Sequence, residues 1–340
     1  MSDMVVMKKG ATEEEIERVV KKIEEAGCRA DISRGKYKTV IGAIGDREKV
    51  ETIPFEAFPG VETIVAISTP YKLVSREYQP EDTVINVNGI QIGGNNFTII
   101  AGPCSVETKE QLLETAKIVK AAGGAILRGG AFKPRTSPYS FQGLGEAGLK
   151  FLAEVKDATG LPIVTEVMDI RDVNLVAKFA DILQIGARNM QNFQLLTEVG
   201  KIKKPVLLKR SFGCTVEELL MAAEYISKEG NKEIILCERG IRTFEPSARN
   251  TLDISAIPIV RLKSHLPIIV DPSHASGKRE LVEPLSLAAL AAGAHGVMIE
   301  VHPHPEEALC DGSQSLTANS FSQTMAKIQA LAKALGKKLI

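Results

Sequence analysis

Residues 205–236 read PVLLKRSFGCTVEELLMAAEYISKEGNKEIIL and contain one complete strand–helix–strand unit. The short apolar runs Pro205–Leu208 and Ile234–Leu236 have the length and composition of buried strands. Between them, Thr215–Ser227 carries apolar residues at helical spacing, with polar residues on the opposite face. This order predicts two parallel strands that are joined by a crossover helix.

The same alternation continues on both sides of this unit. Eight strands are predicted in all, at Phe97–Ala101, Ala125–Leu127, Pro162–Val164, Ile182–Ile185, Pro205–Leu208, Ile234–Leu236, Pro267–Val270 and Gly296–Ile299. Amphipathic helices separate them, for example at Glu107–Ala122 and Phe321–Leu335. Strict alternation of eight strands with helices predicts an α/β fold, a (β/α)8 TIM barrel over residues 97–340. A doubly wound open sheet is the competing layout, and the absence of a glycine-rich dinucleotide loop after the first strand disfavours it.

A small α+β domain is predicted at residues 1–70, before the barrel. Its predicted order is β-α-β-β-α-β, which is that of a ferredoxin-like domain. The strands are expected at Met4–Met7, Cys28–Ile32, Thr39–Ile44 and Val61–Ile67, and the helices from Thr12 and near Arg47–Phe55. Residues 71–96 are expected to form a linker and then a β-hairpin, which turns at Asn88-Gly89 and lies at the bottom of the barrel.

The bulk composition disfavours several classes of function. Lys plus Arg and Asp plus Glu both number 42 in the 340-residue chain, so the net charge is zero. A protein that binds nucleic acid or a membrane surface usually has a basic excess, and we expect neither partner. The five cysteines have no CxxC spacing, Met1–Lys9 has no long apolar run, and no segment approaches the roughly 18 apolar residues of a spanning helix. A cytoplasmic protein is expected.

Cationic side chains follow the predicted strands, at the end of the barrel where such enzymes keep their active sites. Buried like charges repel one another unless anions neutralise them. Salt bridges to Glu166, Glu238 and Glu300 are one explanation. Phosphate and carboxylate groups of substrates are the other, and the number of cations favours it. The six cations are Arg128, Lys133, Arg135, Arg188, Lys209 and Arg239.

A second group of side chains has the composition of a metal site. Its members follow strands 1, 7 and 8, which become neighbours when a barrel closes: Cys104, His274, Glu300 and Asp311. A thiolate, an imidazole and two carboxylates suit Mn, Fe, Co or Zn better than Mg. His302 and His304 are rival ligands, but the prolines beside them indicate a rigid loop, so we leave them out.

Seven ordered motifs resemble those of 3-deoxy-D-arabino-heptulosonate-7-phosphate (DAHP) synthases, in the short microbial form with an N-terminal ferredoxin-like regulatory domain. The motifs are Ala-Gly-Pro-Cys104-Ser, Leu-Arg128-Gly-Gly, Lys133-Pro-Arg135-Thr136-Ser137, Gly-Ala-Arg188-Asn, Leu-Lys209-Arg, Glu-Arg239-Gly and Asp271-Pro-Ser-His274. The resemblance covers essentially the whole chain. It implies a metal-dependent condensation of phosphoenolpyruvate with erythrose 4-phosphate at the start of the shikimate pathway.

The resemblance also implies roles for individual residues. Arg128 and Lys209 would hold the carboxylate of phosphoenolpyruvate, and Arg188 and Arg239 its phosphate. The sugar phosphate would bind Arg135, Thr136 and Ser137. One divalent ion, bound by Cys104, His274, Glu300 and Asp311, would activate the aldehyde as a Lewis acid. The candidate general acids or bases are Lys133, His274 and Asp311.

Two other functions are compatible with parts of the chain. The sister enzyme, 3-deoxy-D-manno-octulosonate-8-phosphate synthase, usually has Lys-Ala-Asn-Arg-Ser-Ser where this chain has Lys133-Pro134-Arg135-Thr136-Ser137. An amino-acid-binding regulatory protein with a vestigial barrel would have a damaged cation set or metal group, and both sets are intact in the sequence. We therefore expect an enzyme, a homotetramer, whose N-terminal domain binds an aromatic amino acid as a feedback inhibitor or serves only for oligomerisation.

Overall fold

The computed structural model describes residues 3–35, 38–46, 49–50, 52–66, 70–135 and 137–340. It contains two compact units. The first extends to Asp82 and includes Leu262–His265, and the second comprises Thr83–Arg261 and Leu266–Ile340. Within the described residues, no helix combines the length and the apolar character that a membrane crossing requires.

The first unit contains the predicted antiparallel sheet and helix. Strands β1 (Asp3–Met7), β2 (Arg29–Arg34), β3 (Thr39–Ile44) and β4 (Val61–Ala66) lie in the order β2-β3-β1-β4. Helix α1 (Glu13–Glu25) begins at a capping box between Thr12 and Glu15, and it buries Ile16, Val19 and Ile23. The helix expected near 47–55 lies partly outside the described residues. Of the described ones, 49 and 50 are helical, and a 3-10 turn follows at Phe55–Ala57.

The second unit opens with the hairpin of β5 (Ile85–Val87) and β6 (Ile90–Ile92). Asn88 and Gly89 both have positive φ angles, 51° and 91°, which is the backbone of a type I′ turn. The Asn-Gly pair tolerates this conformation well, so the sequence and the turn agree. The apolar side chains of the hairpin pack in the same buried cluster as inward-facing side chains of the barrel strands.

Eight parallel strands close into the barrel, which confirms the predicted fold class. They are β7 (Asn96–Gly102), β8 (Ile126–Arg128), β9 (Ile163–Glu166), β10 (Ile182–Ile185), β11 (Val206–Lys209), β12 (Ile234–Glu238), β13 (Ile268–Val270) and β14 (Gly296–Glu300). Each strand pairs with the next, and β14 pairs with β7 to close the ring. A short terminal strand, β15 (Lys338–Leu339), which the sequence did not predict, also pairs with β7.

Helices cover the outside of the barrel between successive strands. They are α2 (Lys109–Ala121), α3 (Glu146–Thr159), α4 (Val173–Phe179), α5 (Phe193–Gly200), α6 (Val216–Lys228), α7 (Ala256–Lys263), α8 (Pro272–Ser276), α9 (Arg279–Ala291) and α10 (Ala318–Ala334). A capping box between Thr215 and Glu218 begins α6, and Thr108 and Thr317 cap α2 and α10. These caps satisfy backbone N–H groups that a helix start leaves without partners.

The interior of the barrel is apolar near the hairpin and charged at the other end. Ile126, Val164, Leu207, Ile269 and Met298 are buried together in the lower layer. Successive side chains of a strand point to opposite faces, so the residue two positions later points inward again. Those positions are Arg128, Glu166, Lys209, Asp271 and Glu300. Strand periodicity therefore places these charges in one layer at the carboxyl end of the barrel.

Candidate active site

A cavity of about 300 Å3 opens at the carboxyl ends of the barrel strands. Two carboxylates, Glu166 and Asp311, and seven cations line it; the cations are Arg128, Lys133, Arg135, Arg188, Lys209, Arg239 and Arg249. Six of these seven are the cations that the sequence analysis selected. The excess of positive charge gives the cavity a lining that suits a polyanion.

The four predicted metal ligands converge at one side of this cavity. One potential ligand atom from each of Cys104, His274, Glu300 and Asp311 lies within 4.8 Å of the others. Cys104 Sγ is 3.2 Å from Asp311 Oδ2, and His274 Nε2 is 3.3 Å from Glu300 Oε1. They come together because β7 and β14 are neighbours, as predicted from barrel closure.

The orientation of His274 fits metal binding. Asp271, the N-cap of α8, accepts hydrogen bonds from the backbone N and from Nδ1 of His274, at 2.9 and 2.8 Å. The proton is therefore held on Nδ1, and Nε2 points into the group of four with its lone pair available. Burial lowers the pKa of His274, against the opposing charges of Asp271 and Glu300, and so favours the neutral imidazole that a metal requires.

The thiol of Cys104 also lies in a suitable environment. A hydrogen bond with Cys310, burial and the negative charge of Glu300 raise the pKa of Cys104, so the free group is a thiol. Lys133 Nζ donates to Cys104 Sγ at 3.0 Å and to its carbonyl oxygen at 2.9 Å. A cation bound beside the sulfur would favour the thiolate, and Lys133 would then stabilise it. The donor set and these contacts fit a divalent transition metal.

Two of the predicted cations have carboxylate partners within the barrel. Arg128 Nη1 lies 2.5 Å from Glu300 Oε1, and Lys209 Nζ lies 2.5 Å from Asp271 Oδ2. All four side chains are buried. The salt-bridge explanation is therefore right for Arg128. Asp271, which was not considered as a partner, neutralises Lys209.

Within the described residues, neither of the other two predicted partners forms a salt bridge with a cation of the cavity. Glu238 pairs instead with Arg210, at 2.8 Å, and accepts a hydrogen bond from the backbone of Gly240. Glu166 accepts a hydrogen bond from Gln184 Nε2 at 3.2 Å.

Arg188 and Arg239 retain free hydrogen-bonding capacity. Within the described residues neither forms a salt bridge. Arg239 Nη2 donates a hydrogen bond to the carbonyl oxygen of His274. Burial lowers the pKa of Arg239, and the charges of Arg249 and Arg188 lower it further against the effect of Asp271. Cations that destabilise one another at short range form a site for an anion with two or more charges.

The loop after β8 holds the remaining predicted substrate ligands. Arg135 donates to the carbonyl oxygens of Phe141 and Leu309, at 3.1 and 3.3 Å, so its guanidinium bridges two loops at the cavity edge. Ser137 is exposed and lines the cavity. Thr136 lies outside the described residues.

The rival histidines lie apart from the group of four. His302 is buried, accepts a hydrogen bond at Nδ1 from the backbone of His304, and has Nε2 3.6 Å from Glu107 Oε2. His304 is exposed and lies near Glu306.

Sequence reasoning missed three polar residues of the site. Asp271 lies two residues after the inward-facing Ile269, so strand alternation would have identified it as an inward-facing residue. Arg249 lies in the loop after β12, and Gln314 lies in a 3-10 turn after β14. Neither of these two belongs to a periodic segment, so only the folded chain identifies them.

Comparisons with known proteins cover the whole chain. A model of the DAHP synthetase I family matches residues 77–336, and a model of the DAHP synthase ferredoxin-like domain matches residues 4–69. A protein of Thermotoga maritima named phospho-2-dehydro-3-deoxyheptonate aldolase is 57% identical over 336 residues, which cover 99% of each chain. A crystal structure of this aldolase (DAHP synthase) from the same organism covers 100% of this chain and 99% of its own, with a TM-score of 0.80 and 56% identity.

Two further relatives match a smaller share of the chain. A truncated form of the Thermotoga maritima synthase matches 79% of this chain with a TM-score of 0.74 and 56% identity, over 98% of its own length. A protein of Syntrophobacter fumaroxidans named 2-dehydro-3-deoxyphosphooctonate aldolase is 33% identical over 260 residues. That match covers 71% of this chain and 89% of the relative.

Proposed function

The chain belongs to the DAHP synthetase I family, an enzyme family that forms carbon–carbon bonds, and we propose that it condenses phosphoenolpyruvate with D-erythrose 4-phosphate in a metal-dependent reaction. The products are DAHP and inorganic phosphate. One observation carries the proposal: a single cavity combines the Cys-His-Glu-Asp group with an excess of cations, four of which, Lys133, Arg135, Arg188 and Arg239, form no salt bridge within the described residues.

Phosphoenolpyruvate has two anionic groups, and the cavity offers two kinds of cation. Arg188 and Arg239 are proposed to bind the phosphate, because neither of them has a carboxylate partner in the described part of the chain. Arg128 and Lys209 are proposed to bind the carboxylate. Their charges are partly neutralised, but Arg128 Nε is buried without a hydrogen-bond partner, so a donor is available for an incoming oxygen.

The sugar phosphate is proposed to bind at the loop after β8. Arg135, Thr136 and Ser137 supply a guanidinium and two hydroxyl groups in consecutive positions, which suits a phosphate dianion. Arg135 donates to two backbone carbonyl oxygens, which are neutral acceptors. In the complex it would donate to the charged phosphate oxygens instead.

The bond changes require an electrophilic aldehyde and a proton carrier. A divalent ion held by Cys104, His274, Glu300 and Asp311 would supply Lewis acidity at the aldehyde oxygen. C3 of phosphoenolpyruvate attacks the aldehyde carbon, water adds to C2, and phosphate leaves when its C–O bond breaks. Lys133 is proposed to move protons here, because two of its three N–H donors are used by Cys104 and one remains. His274 and Asp311 are the other candidates.

A phosphate-release assay tests the proposal. The enzyme is mixed with phosphoenolpyruvate and either erythrose 4-phosphate or arabinose 5-phosphate. Rapid release with the four-carbon sugar is expected, because the chain has Pro134-Arg135-Thr136 in the loop. Preference for arabinose 5-phosphate would establish the sister activity of the 2-dehydro-3-deoxyphosphooctonate aldolases. EDTA should abolish the reaction and Mn²⁺ restore it, whereas full activity without metal would refute the role of Cys104.

Feedback inhibition by an aromatic amino acid is proposed for the N-terminal unit. A cavity of about 280 Å3 in this unit is lined by the apolar residues Val6 and Val40 and by Ser33, Lys38 and Glu81. Apolar walls with charges of both signs suit a zwitterion that carries an aromatic ring. Deletion of residues 1–70 should leave activity and abolish inhibition by tyrosine or phenylalanine. A truncated barrel that is still inhibited would contradict this assignment.

We also propose a homotetramer that works in the cytoplasm at the entrance to the shikimate pathway. All five cysteines lie in the described part of the chain and are free thiols, as a reducing compartment would keep them. Light scattering after gel filtration should give four times the chain mass of 36.7 kDa. A smaller particle would contradict the assembly without affecting the proposed reaction.

A further inference from the structure

Each of the two carboxylates in the group of four has a side-chain contact with a residue that the proposed function has not used: Glu300 with Gln314, and Asp311 with Arg249. Gln314, which is buried, donates from Nε2 to Glu300 Oε2 at 2.6 Å. Arg249 Nη1 lies 3.6 Å from Asp311 Oδ1 and donates to Gln314 Oε1 at 3.4 Å. Gln314 and Arg249 are thus joined to each other as well as to the two carboxylates.

These contacts involve the carboxylate oxygens that face away from the other predicted ligands. Glu300 Oε1 is the oxygen near His274 Nε2, whereas Gln314 binds Oε2. Asp311 Oδ2 is the oxygen near Cys104 Sγ, whereas Arg249 approaches Oδ1. Each carboxylate therefore has one oxygen near the group, and Gln314 or Arg249 contacts the other oxygen; Glu300 Oε1 also pairs with Arg128.

The two carboxylates belong to different chain segments, which are joined by a backbone hydrogen bond from Leu316 N to the carbonyl oxygen of Glu300. Glu300 ends β14, while Asp311 lies in the following loop with a φ angle of 50°, which non-glycine residues seldom adopt. An aspartate in an irregular loop depends on its side-chain contacts for orientation. Arg249 supplies such a contact to Asp311, and its hydrogen bond to Gln314 connects Asp311 to Glu300 at the end of β14.

Arg249 is also fixed to the helix that carries His274. Its backbone N donates to the carbonyl oxygen of Ser276 at 2.9 Å, and the next residue, Asn250, donates to Ala275 at 2.8 Å. Gly277 ends this helix with a φ angle of 68°, and a Cβ at that position would lie 2.8 Å from Arg249 Cβ. Only glycine permits this close approach, so the loop and the helix are held together as one piece.

From these contacts we propose that Arg249 and Gln314 are positioning residues that orient Glu300 and Asp311 for metal binding. The inference rests on the proposed metal site and adds two residues to it. Side chains that hold metal ligands in place contribute to affinity because the ligands then lose little freedom when the ion binds. Their removal typically costs 10- to 100-fold in metal affinity.

Substrate binding is the competing role for Arg249, because its side chain is 40% exposed and lines the proposed substrate cavity. An arginine that only binds a substrate anion would affect KM and leave metal affinity unchanged. Metal binding without any substrate therefore separates the two roles.

The test measures the Kd for Mn²⁺ of the substrate-free full-length protein, from the electron paramagnetic resonance signal of the free ion. Arg249→Gln should weaken binding roughly 10-fold, and Gln314→Met, which removes the buried donor, by up to about 100-fold. Arg249→Lys should recover part of the loss. Arg242→Gln is the matched control, since Arg242 lies in the same loop with its guanidinium 4.7 Å from the Phe212 ring.

Cobalt-loaded protein supplies a second readout. At saturating Co²⁺, the thiolate-to-cobalt charge-transfer band should persist in Arg249→Gln, because Cys104 is unchanged. The visible d–d bands should shift, because Asp311 is no longer held in place. A general loss of structure would instead lower the melting temperature and remove both signals.

The outcomes separate the metal site from the positioning role. A wild-type protein that binds no Mn²⁺ would refute the metal site itself. Wild-type binding with unchanged Kd and spectra in Arg249→Gln would overturn the positioning role. If Gln314→Met fails to fold, Arg249→Gln still tests the positioning role, because the side chain of Arg249 is partly exposed and its replacement should be tolerated.

Discussion

Asp271 is a buried charge that contacts both Lys209 and His274, and Asp271→Asn tests both contacts. The carboxylate is completely buried and accepts hydrogen bonds from Lys209 Nζ and from two nitrogens of His274. Asparagine has nearly the same size, so packing is preserved. The substitution removes the charge that neutralises Lys209 and the acceptor that holds the proton on His274 Nδ1.

The magnitude follows from burial. Breaking a buried ion pair by removing one partner costs about 3–5 kcal/mol, because the remaining charge stays out of water. A large domain loses roughly 2–4 °C of melting temperature per kcal/mol, so we expect a decrease of about 10 °C. Mn²⁺ affinity should fall 10- to 100-fold as well, because the orientation of His274 is lost.

The assay combines thermal and urea unfolding with a double-mutant cycle. Asp271→Asn with Lys209→Met removes both charges, and most of the lost stability should return. Metal affinity should remain weak in the double variant, because His274 still lacks its acceptor. A single variant within about 1 kcal/mol of wild type would refute the reasoning, as would a double variant that is no more stable than the single one.

The pH dependence of this difference has a definite sign. Burial would raise the pKa of Asp271, but His274 and Lys209 outweigh it and hold the pKa well below its ordinary value. Below about pH 4 the unfolded state binds a proton that the folded state does not. The difference in free energy of unfolding between wild type and Asp271→Asn is therefore largest above about pH 4 and decreases as the pH falls below about 4. A difference that grows on acidification would contradict the pKa shift.

Three other expectations follow from the same structure. Metal affinity should rise about tenfold per pH unit near neutrality, because the Cys104 thiol must release one proton; calorimetry in two buffers should show that Cys104→Ser loses this slope. Arg188→Gln should raise KM for phosphoenolpyruvate, and Arg135→Gln KM for erythrose 4-phosphate, in steady-state kinetics with the other substrate saturating. Gly89→Ala should cost about 1–2 kcal/mol in urea unfolding, because φ is 91° and nothing lies within 4 Å of the new Cβ.

The barrel and much of its charged layer could be predicted from local sequence patterns. Short apolar runs that alternate with amphipathic helices identified all eight barrel strands within a few residues of their observed bounds. Arg128 and Lys209 were selected because they follow their strands, and both line the cavity. Alternation within each strand explains why their side chains face inward, as that of Glu300 does. The terminal strand β15 was missed because two paired residues carry no periodic signal.

The metal group was predictable for a different reason. A closed ring of eight strands makes the first strand a neighbour of the last, so Cys104 and Glu300 had to approach one another. Asp311 was selected from its residue type and family resemblance, since no strand or helix periodicity constrains its loop.

The sequence by itself thus determined the order of the strands, the face on which each charged residue lies and the set of candidate ligands. Only the tertiary structure decided how those charges pair: Arg128 with Glu300, Lys209 with Asp271, and Arg188 and Arg239 with no described carboxylate. Strand alternation repeats every two residues and is visible locally. Pairing depends on distances across the barrel, which exist only once the ring has closed and the loops have docked.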